Sequence, residues 1–209
     1  MITTKNITFK YSEENLFHFP DLFCNSGNTV LITGNSGTGK TTYLHILAGI
    51  LKPLTGEVII NNENIVALSE KKTDAFRGKN IGIVFQKSYF ISSLNILENL
   101  ETASFLALGN KNTEYCNKLL ETLGVAEHKH KMPSTLSIGQ QQRVAIARAL
   151  VNKPKVLFAD EPTSSLDDKN AEKVLETLTH LAQEFKTALI IVTHDSRVKS
   201  KFTNQITLI

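Results

Sequence analysis

Tryptophan is missing from the sequence, and cysteine is limited to Cys24 and Cys116, which lie far apart. Their separation fits neither a disulfide framework nor the ligand spacing of a zinc site, so we expect reduced thiols, as in cytosolic proteins.

Long apolar runs are missing too. No window approaches the roughly 20 apolar residues that a helix needs to cross a bilayer. No long apolar stretch follows residues 1–5, so we expect no secretory signal there. If the protein works at a membrane, we expect another chain to supply the anchor.

The sequence also lacks a large excess of charge of either sign. The 209 residues include 23 basic and 20 acidic ones, for a net charge of +3, and the basic residues are spread along the chain. Recognition of nucleic acid calls for a basic patch or stripe, so we expect no nucleic-acid partner. The content of 41% apolar and 21% charged residues is that of an ordinary globular protein, and the length suits a single domain, residues 1–209, with a sizeable core.

Short apolar runs predict buried strands at residues 29–33, 81–85, 156–159 and 189–192. Continuous rather than alternating runs are typical of strands that are covered on both faces, as in parallel sheets. Between these runs, apolar residues recur with the period of a helix, as do Leu44, Leu47, Ala48 and Leu51. Pro53 follows and is expected to end this helix. Strands that alternate with helices predict an α/β fold with a mostly parallel central sheet. The first 25 residues and residues 57–60 predict an N-terminal antiparallel edge.

The stretch between residues 87 and 153 differs from the rest of the chain. It shows no clear strand pattern, and helical patterns occur around residues 94–108, 115–123 and 143–150. We predict a helical subdomain at 87–153, inserted into a nucleotide-binding core made of residues 1–86 and 154–209.

A glycine-rich segment at residues 34–41 fits the pattern G-x-x-x-x-G-K-[ST], between an apolar strand and an amphipathic helix. Its backbone N–H groups and the helix N-terminus supply positive potential for phosphate. We predict that Lys40 reaches the β- and γ-phosphates and that the Thr41 hydroxyl holds Mg²⁺. An ordinary glycine-rich turn is the alternative, but three glycines, a lysine and a threonine in register at this junction disfavour it. The predicted nucleotide-binding residues are Gly34, Asn35, Ser36, Gly37, Thr38, Gly39, Lys40, Thr41 and Thr42.

Two acids, Asp160 and Glu161, end the apolar strand at 156–159. Burial of paired carboxylates is costly, and the carboxyl ends of parallel strands face the crevice where ligands bind. We predict that Asp160 contributes to Mg²⁺ coordination and that Glu161 is the base that polarises the attacking water. An acidic turn is the alternative, and the nearby phosphate loop disfavours it.

The segment Leu-Ser-Ile-Gly-Gln-Gln-Gln-Arg, residues 136–143, continues as Val-Ala-Ile-Ala-Arg-Ala-Leu. Ser137 and Gln140 form an S-x-x-Q capping box that opens a helix. The segment lies just upstream of the acidic strand and resembles the signature sequence of the ATP-binding subunits of ABC transporters. This resemblance covers essentially the whole chain and implies a P-loop NTPase fold. It is closest to the lipoprotein-release and macrolide-export group.

The resemblance implies that the signature contacts the ATP bound by a second subunit. Ser137, Gly139 and Gln140 would meet the γ-phosphate of an ATP held by the partner, in a head-to-tail homodimer or heterodimer. Ile138 departs from the family, which commonly has glycine there. The isoleucine should hardly affect binding to the partner's ATP if its side chain points away from that ATP. It should weaken this binding if the side chain points inward.

Other positions match the family in order. Gln86, directly after a predicted strand, resembles the glutamine that touches Mg²⁺ or the water, and it is a candidate catalytic residue. His194, at the end of another strand and before Asp195, resembles the histidine that contacts the γ-phosphate, and it is a further candidate catalytic residue, although a lone histidine is more often structural. Tyr11 resembles the aromatic residue that stacks on adenine, although Phe9 is nearby and aromatic residues are common in edge strands. Residues 165–167 resemble the loop at the dimer interface, or else they cap the next helix.

The function implied is ATP hydrolysis, with ATP and Mg²⁺, that powers transport or mechanotransmission through separate transmembrane permease subunits. Closure of the dimer would complete each site, and hydrolysis would reopen it. The resemblance implies a peripheral location at the cytoplasmic face of a bacterial membrane. Residues 87–100, with Tyr89, Phe90, Ile91 and Leu94, are predicted to form a helical surface for permease helices, or else subdomain core.

Other classes of function remain as alternatives. A cell-division regulator built on the same domain is one. A soluble ABC ATPase that acts in DNA repair or at the ribosome is another, although repair types carry a long coiled-coil insertion and ribosomal types carry two cassettes.

Overall fold

The computed structural model describes residues 1–11, 16–164 and 166–209. Its strands, in chain order, are β1 (Ile2–Lys10), β2 (Leu16–His18), β3 (Phe23–Cys24), β4 (Thr29–Gly34), β5 (Thr55–Ile60), β6 (Glu63–Asn64), β7 (Ile81–Val84), β8 (Val156–Asp160), β9 (Ala188–Val192) and β10 (Gln205–Leu208). Its α-helices are α1 (Lys40–Leu47), α2 (Glu70–Asn80), α3 (Ile96–Leu108), α4 (Thr113–Thr122), α5 (Ile138–Leu150), α6 (Asp168–Glu184) and α7 (Ser196–Lys199). Short 3₁₀ helices lie at Ile65–Ala67, Ala126–His128 and Pro133–Thr135.

A parallel sheet with the strand order β10-β4-β9-β8-β7 forms the centre of the molecule. Every residue of β8 and β9 is buried, as the continuous apolar runs predicted. Neighbouring residues of one strand enter different cores: Leu31 packs with α3 to α6, and Val30 and Ile32 pack with α1. The predicted α/β fold with a mostly parallel central sheet is confirmed.

The expected N-terminal antiparallel strands form a second sheet. Here β1 pairs antiparallel with β2, β3 and β5, and β5 pairs with β6. Ile2 and Ile7 of β1 belong to the same core as Tyr43 of α1. The second sheet therefore covers the helix that follows the phosphate loop.

The helices α3, α4 and α5 all lie between β7 and β8 in the chain. Residues 85–155 are all described, and none of them lies in a strand. These helices share one buried core with the central sheet, which includes Val84, Leu100, Leu120 and Ile146. The division into a core and a subdomain at residues 87 and 153 stays a prediction.

Some predicted boundaries are wrong. Helix α1 ends at Leu47, and Leu51 lies beyond it because the chain turns at Gly49, whose φ is 65°. The helix expected from residue 87 begins only at Ile96, because Asn95 and Glu98 form a capping box there. Helix α2 was not predicted at all. It buries no residue, so its sequence carries no apolar periodicity.

Among the described residues, no helix is both long enough and apolar enough to cross a bilayer.

Candidate active site

The phosphate loop connects β4 to α1. Gly37 and Gly39 have φ values of 87° and 84°, a region that costs glycine nothing and other residues considerably more. A Cβ atom on Gly39 would lie 3.1 Å from the ring of Phe17. The loop therefore needs glycine for its backbone and for the close approach of β2.

Lys40 is the first residue of α1, and its side chain folds back over the loop. Its Nζ donates hydrogen bonds to the carbonyl oxygens of Gly34 at 3.0 Å and Asn35 at 2.8 Å. The ammonium thus lies beside the N-terminus of α1, where the helix dipole adds positive potential. This arrangement can bind a phosphate chain.

Asp160, the last residue of β8, lies opposite α1. Its Oδ2 accepts a hydrogen bond of 3.4 Å from the Thr41 hydroxyl, and its buried Oδ1 has no hydrogen-bond partner among the described residues. Burial, and secondarily the nearby Glu161, raises the pKa of this carboxyl. An orphaned carboxylate oxygen beside a hydroxyl is a donor set that fits Mg²⁺. In the described chain, no cluster of three or more His, Cys, Asp or Glu side chains could hold a metal ion.

Glu161 follows directly and is held by the end of the adjacent strand β9. Its carboxylate accepts hydrogen bonds from the Thr193 hydroxyl at 2.8 Å and the His194 backbone N–H at 3.1 Å. The Nδ1 of His194 lies 2.6 Å from Glu161 Oε1. Since β8 and β9 run in parallel with Asp160 opposite Val192, the residues that follow each strand meet at one edge of the sheet.

Gln86 lies on the other side of Glu161. Its Nε2 donates a weak hydrogen bond of 3.4 Å to the Ser164 hydroxyl. Gln86, Glu161, Ile138 and Leu166 line one cavity of about 300 Å³. The structure therefore brings together three of the predicted site residues from separate strands: Gln86 after β7, Glu161 after β8 and His194 after β9.

Tyr11 lies near the start of the phosphate-loop helix. Its hydroxyl is 2.9 Å from that of Thr42, its ring packs edge-on against Phe9, and 65% of its surface is exposed. An exposed aromatic face at this position fits a planar base.

The predicted capping box opens α5. The Ser137 hydroxyl accepts from the Gln140 N–H, and Gln140 Oε1 accepts from the Ser137 N–H. Ile138 points outward and is 62% exposed, and a Cβ on Gly139 would meet no atom within 4 Å. No hydrogen bond within the described chain links Ser137, Gly139 or Gln140 to the loop at 34–41.

Several polar residues of the site were missed from the sequence. Thr193 was read only as part of a strand end, and Thr163 and Arg197 carried no motif. Thr163 donates to Asp195 Oδ2 at 3.0 Å, and Arg197 forms ion pairs with Asp195 and Asp168. Threonine at the end of a buried strand was the one available signal. In the predicted interface loop at 165–167, Ser165 lies outside the described residues, and Asp167 caps α6 as the alternative proposed.

Known proteins resemble this chain over most of its length. The protein family described as ABC transporter matches residues 18–164. The lipoprotein-releasing system ATP-binding protein LolD of Shewanella denitrificans is 36% identical over 198 residues, which cover 94% of this chain and 85% of the relative. LolD 2 of Chlorobium chlorochromatii is 41% identical over 188 residues, which cover 87% and 78%.

Solved structures also resemble this chain over most of its length. The dimeric post-hydrolysis state of the ATP-binding cassette MJ0796 bound to ADP and Pi has a TM-score of 0.88 and 34% identity, over 100% of this chain and 94% of that one. The protein cbiO1 of Clostridium perfringens, part of the ABC transporter complex cbiONQ, has a TM-score of 0.87 and 30% identity, over 99% and 84%.

Proposed function

This chain belongs to the ABC transporter ATP-binding family, and from this membership we propose how its residues bind and hydrolyse ATP. The protein is the ATP-binding subunit of a transport system and an ATP hydrolase of the ABC type. One observation carries the proposed mechanism: the Glu161 carboxylate, next to Asp160, is held by Thr193 and His194.

In the proposed site, Lys40 and the N–H groups of residues 34–42 bind the phosphates, and Tyr11 stacks on the adenine. The hydrogen bonds of Lys40 to the loop support this role, because they fix the ammonium beside the loop whose N–H groups would bind the phosphates. Thr42 supports Tyr11 through the contact between their hydroxyls. In each case the charge or ring is placed before the ligand binds, which reduces the cost of ordering it.

Asp160, Thr41 and Gln86 would hold Mg²⁺, which neutralises charge on the transferred phosphoryl group. Asp160 Oδ1 supports this assignment, because a buried carboxylate oxygen without a partner is costly unless a cation or a donor satisfies it.

Glu161 accepts a proton from the attacking water in this mechanism, and His194 and Gln86 orient that water. The Thr193 hydroxyl and the His194 N–H hold the carboxylate in place, so that one side-chain orientation is favoured before reaction. The Nδ1 of His194 contacts the same carboxylate, which is the arrangement of a base and its orienting group.

We further propose that the site is completed by a second subunit, identical or homologous. Ser137, Gly139 and Gln140 would contact the γ-phosphate bound by Lys40 of the partner. Both solved MJ0796 cassettes are described as dimeric, which supports dimerisation. The open space around Gly139 also supports this role, because the backbone there is accessible to a ligand from outside the chain.

The relatives named as lipoprotein-releasing system proteins support a permease of that group as the partner, with this chain peripheral at the cytoplasmic face of the membrane. Tyr89 and Ile91, which are 66% and 46% exposed between β7 and α3, are the proposed contacts for it. The transported cargo is then set by the permease.

The test is recovery of a tagged chain from detergent-solubilised membranes, with identification of the proteins that co-purify. The wild type is expected to retain a permease with membrane-spanning helices, and a Tyr89→Ser, Ile91→Ser variant is expected to lose it. Phe23→Ser, at an exposed apolar residue of β3, is the matched control and should retain it. Recovery of ribosomes, DNA or only cell-division proteins would overturn the transport proposal.

A further inference from the structure

His128 ends the 3₁₀ helix Ala126–His128 and is buried against the start of α5, with 8% of its surface exposed. Its Nε2 lies 2.7 Å from Nε2 of Gln140, the last of the signature residues predicted to meet ATP. Its Nδ1 is buried and has no hydrogen-bond partner among the described residues. The ring therefore contacts the signature through a single atom.

The backbone decides which atom of this pair carries the proton. The Ser137 N–H can only donate, and it donates to Gln140 Oε1 at 2.9 Å. The other end of the Gln140 amide is therefore its NH₂ group, which faces His128 and can only donate. His128 Nε2 must accept, so the imidazole is neutral and carries its proton on Nδ1.

We propose that His128 is a positioning residue for the signature, and that protonation of its ring releases Gln140. In the neutral form, His128 holds Gln140, Gln140 holds the Ser137 N–H, and the Ser137 hydroxyl receives the Gln140 N–H at 3.3 Å. This chain of bonds fixes the turn that presents Ser137 and Gly139. The inference rests on the proposed function, since it deepens the role of the signature in the partner's site.

Protonation changes the hydrogen bonds because a charged imidazole donates from both nitrogens. Nε2–H then opposes the Gln140 NH₂, and if the amide turned over, Oε1 would leave the Ser137 N–H. A second acceptor is close, since Glu127 Oε1 lies 3.3 Å from Nε2. The ring can therefore exchange Gln140 for Glu127 when it gains a proton.

Few other charges face the ring in the part of the chain that the structure describes. Lys129 directs its ammonium to Asn117, and Arg143 on α5 directs its guanidinium to backbone carbonyls. The charged residues of α4 are exposed, and these are Glu114, Lys118 and Glu121. Glu127 is thus the acidic side chain that contacts the ring.

The experiment compares the ATPase activity of His128→Ala, His128→Gln and the wild type at saturating ATP between pH 8 and pH 6. Loss of one hydrogen bond should lower kcat of His128→Ala at pH 8 roughly three- to tenfold. The affinity of each chain for ATP should change less than about twofold, since its own phosphate loop is untouched. Glutamine restores an acceptor without a titrating ring, so His128→Gln should keep kcat within about twofold of the wild type at pH 8.

The pH profile separates positioning from simple structural support. The ratio of wild-type to His128→Gln kcat should fall as pH drops from 8 to 6, because only the wild type loses its acceptor. His130→Gln, at an exposed histidine of the same segment, is the control and should follow the wild-type profile. A constant ratio, or full kcat in His128→Ala, overturns the inference.

Ser137→Ala, assayed in parallel, distinguishes the two levels of the proposal. If Ser137→Ala loses activity and His128→Ala does not, only the role of His128 fails. If Ser137→Ala keeps full activity, the proposed role of the signature fails as well.

Discussion

Glu161 has a backbone φ of 47°, a conformation that costs a residue other than glycine about 1–3 kcal/mol. The adjacent Asp160 is the last residue of β8, so the extended backbone of the strand ends between the two acids. The side chain is then held by Thr193 and His194 of the adjacent strand end. The strained backbone therefore occurs at the residue proposed as the base, and hydrogen bonds from the neighbouring strand end hold its carboxylate in one position.

Glu161→Gln is expected to remove the base and keep the shape of the site. The glutamine oxygen can still accept from Thr193, but the amide takes no proton from water, so kcat for ATP hydrolysis should fall at least about 100-fold. ATP affinity should stay within about threefold, since Lys40 and the loop are unchanged. Steady-state ATPase assays and equilibrium nucleotide binding measure both, with Glu176→Gln on the exposed face of α6 as the control. Unchanged turnover would exclude Glu161 as the base.

The ionised carboxylate of Asp195 is expected to stabilise the fold, and this stabilisation is expected to be lost at acid pH. Hydrogen bonds from Arg197, first of all, lower the pKa of Asp195 to about 2. Because this is below its pKa in the unfolded chain, about 3.9, the stabilisation is complete above that value and is lost as pH falls toward 2. The Tm of Asp195→Asn should lie below that of the wild type at pH 7, and the difference should shrink below about pH 4.

Thermal unfolding of both proteins between pH 7 and pH 3 measures this effect. High salt is the matched condition, because about 1 M salt shortens the screening length to ~3 Å and should narrow the difference at pH 7. A difference that grows between pH 5 and pH 3 would contradict the assignment.

At the scale of elements, the contact between β7 and α5 aligns two parts of the site. Gln86 follows β7 and the signature begins α5, and the two elements meet at Gly82. A Cβ on Gly82 would lie 2.2 Å from the carbonyl oxygen of Ala149, so the helix packs directly on the backbone of the strand. Arg148 adds a second link, because its guanidinium lies over the ring of Phe90 at 4.9 Å.

Gly82→Ala should therefore destabilise the fold, because the helix must move to admit one methyl group. Overpacking of this kind costs about 1–3 kcal/mol in the free energy of unfolding, and urea denaturation measures it. Gly78→Ala is the matched control. Its Cβ would lie 3.7 Å from the nearest atom, and alanine in a helix gains up to about 1 kcal/mol over glycine. Equal stability of the two variants would show that the contact is loose.

At the scale of the whole molecule, the signature faces outward and the phosphate loop lies elsewhere on the same chain. Ile138 is exposed at the start of α5, where it lines the same open cavity as Gln86 and Glu161. Whether Ile138 weakens engagement of a partner subunit is a property of the dimer, and the expectation of a small cost stays a prediction. A second chain is what the proposed mechanism requires.

ATP is expected to drive dimerisation of Glu161→Gln, because the γ-phosphate that bridges the subunits is then retained. Light scattering after size exclusion should show a dimer with Mg²⁺ and ATP, and a monomer with ADP. Adding Gly139→Asp should abolish the dimer while the monomer stays folded, since the position is open and a carboxylate there opposes phosphate. A dimer that forms without ATP, or that survives Gly139→Asp, would contradict the proposed interface.

The local features of this protein could be predicted from the sequence. The loop at 34–41, the cap at Ser137 and Gln140, and the buried strands each depend on neighbouring residues, whose conformational preferences and burial patterns are visible in a contiguous stretch. The polar helix α2 was missed for the same reason, because it buries no residue and so leaves no apolar pattern to detect.

Only the tertiary structure decided which distant residues meet. Glu161 contacts Thr193 and His194 because β8 and β9 are neighbours in the sheet, and His128 contacts Gln140 because the turn before α5 folds back on it. Strand order and loop paths follow from the packing of the whole chain into two cores. The sequence therefore determined the chemical groups of the site, and the packing determined their pairing, because hydrogen bonds depend on distances that no short segment specifies.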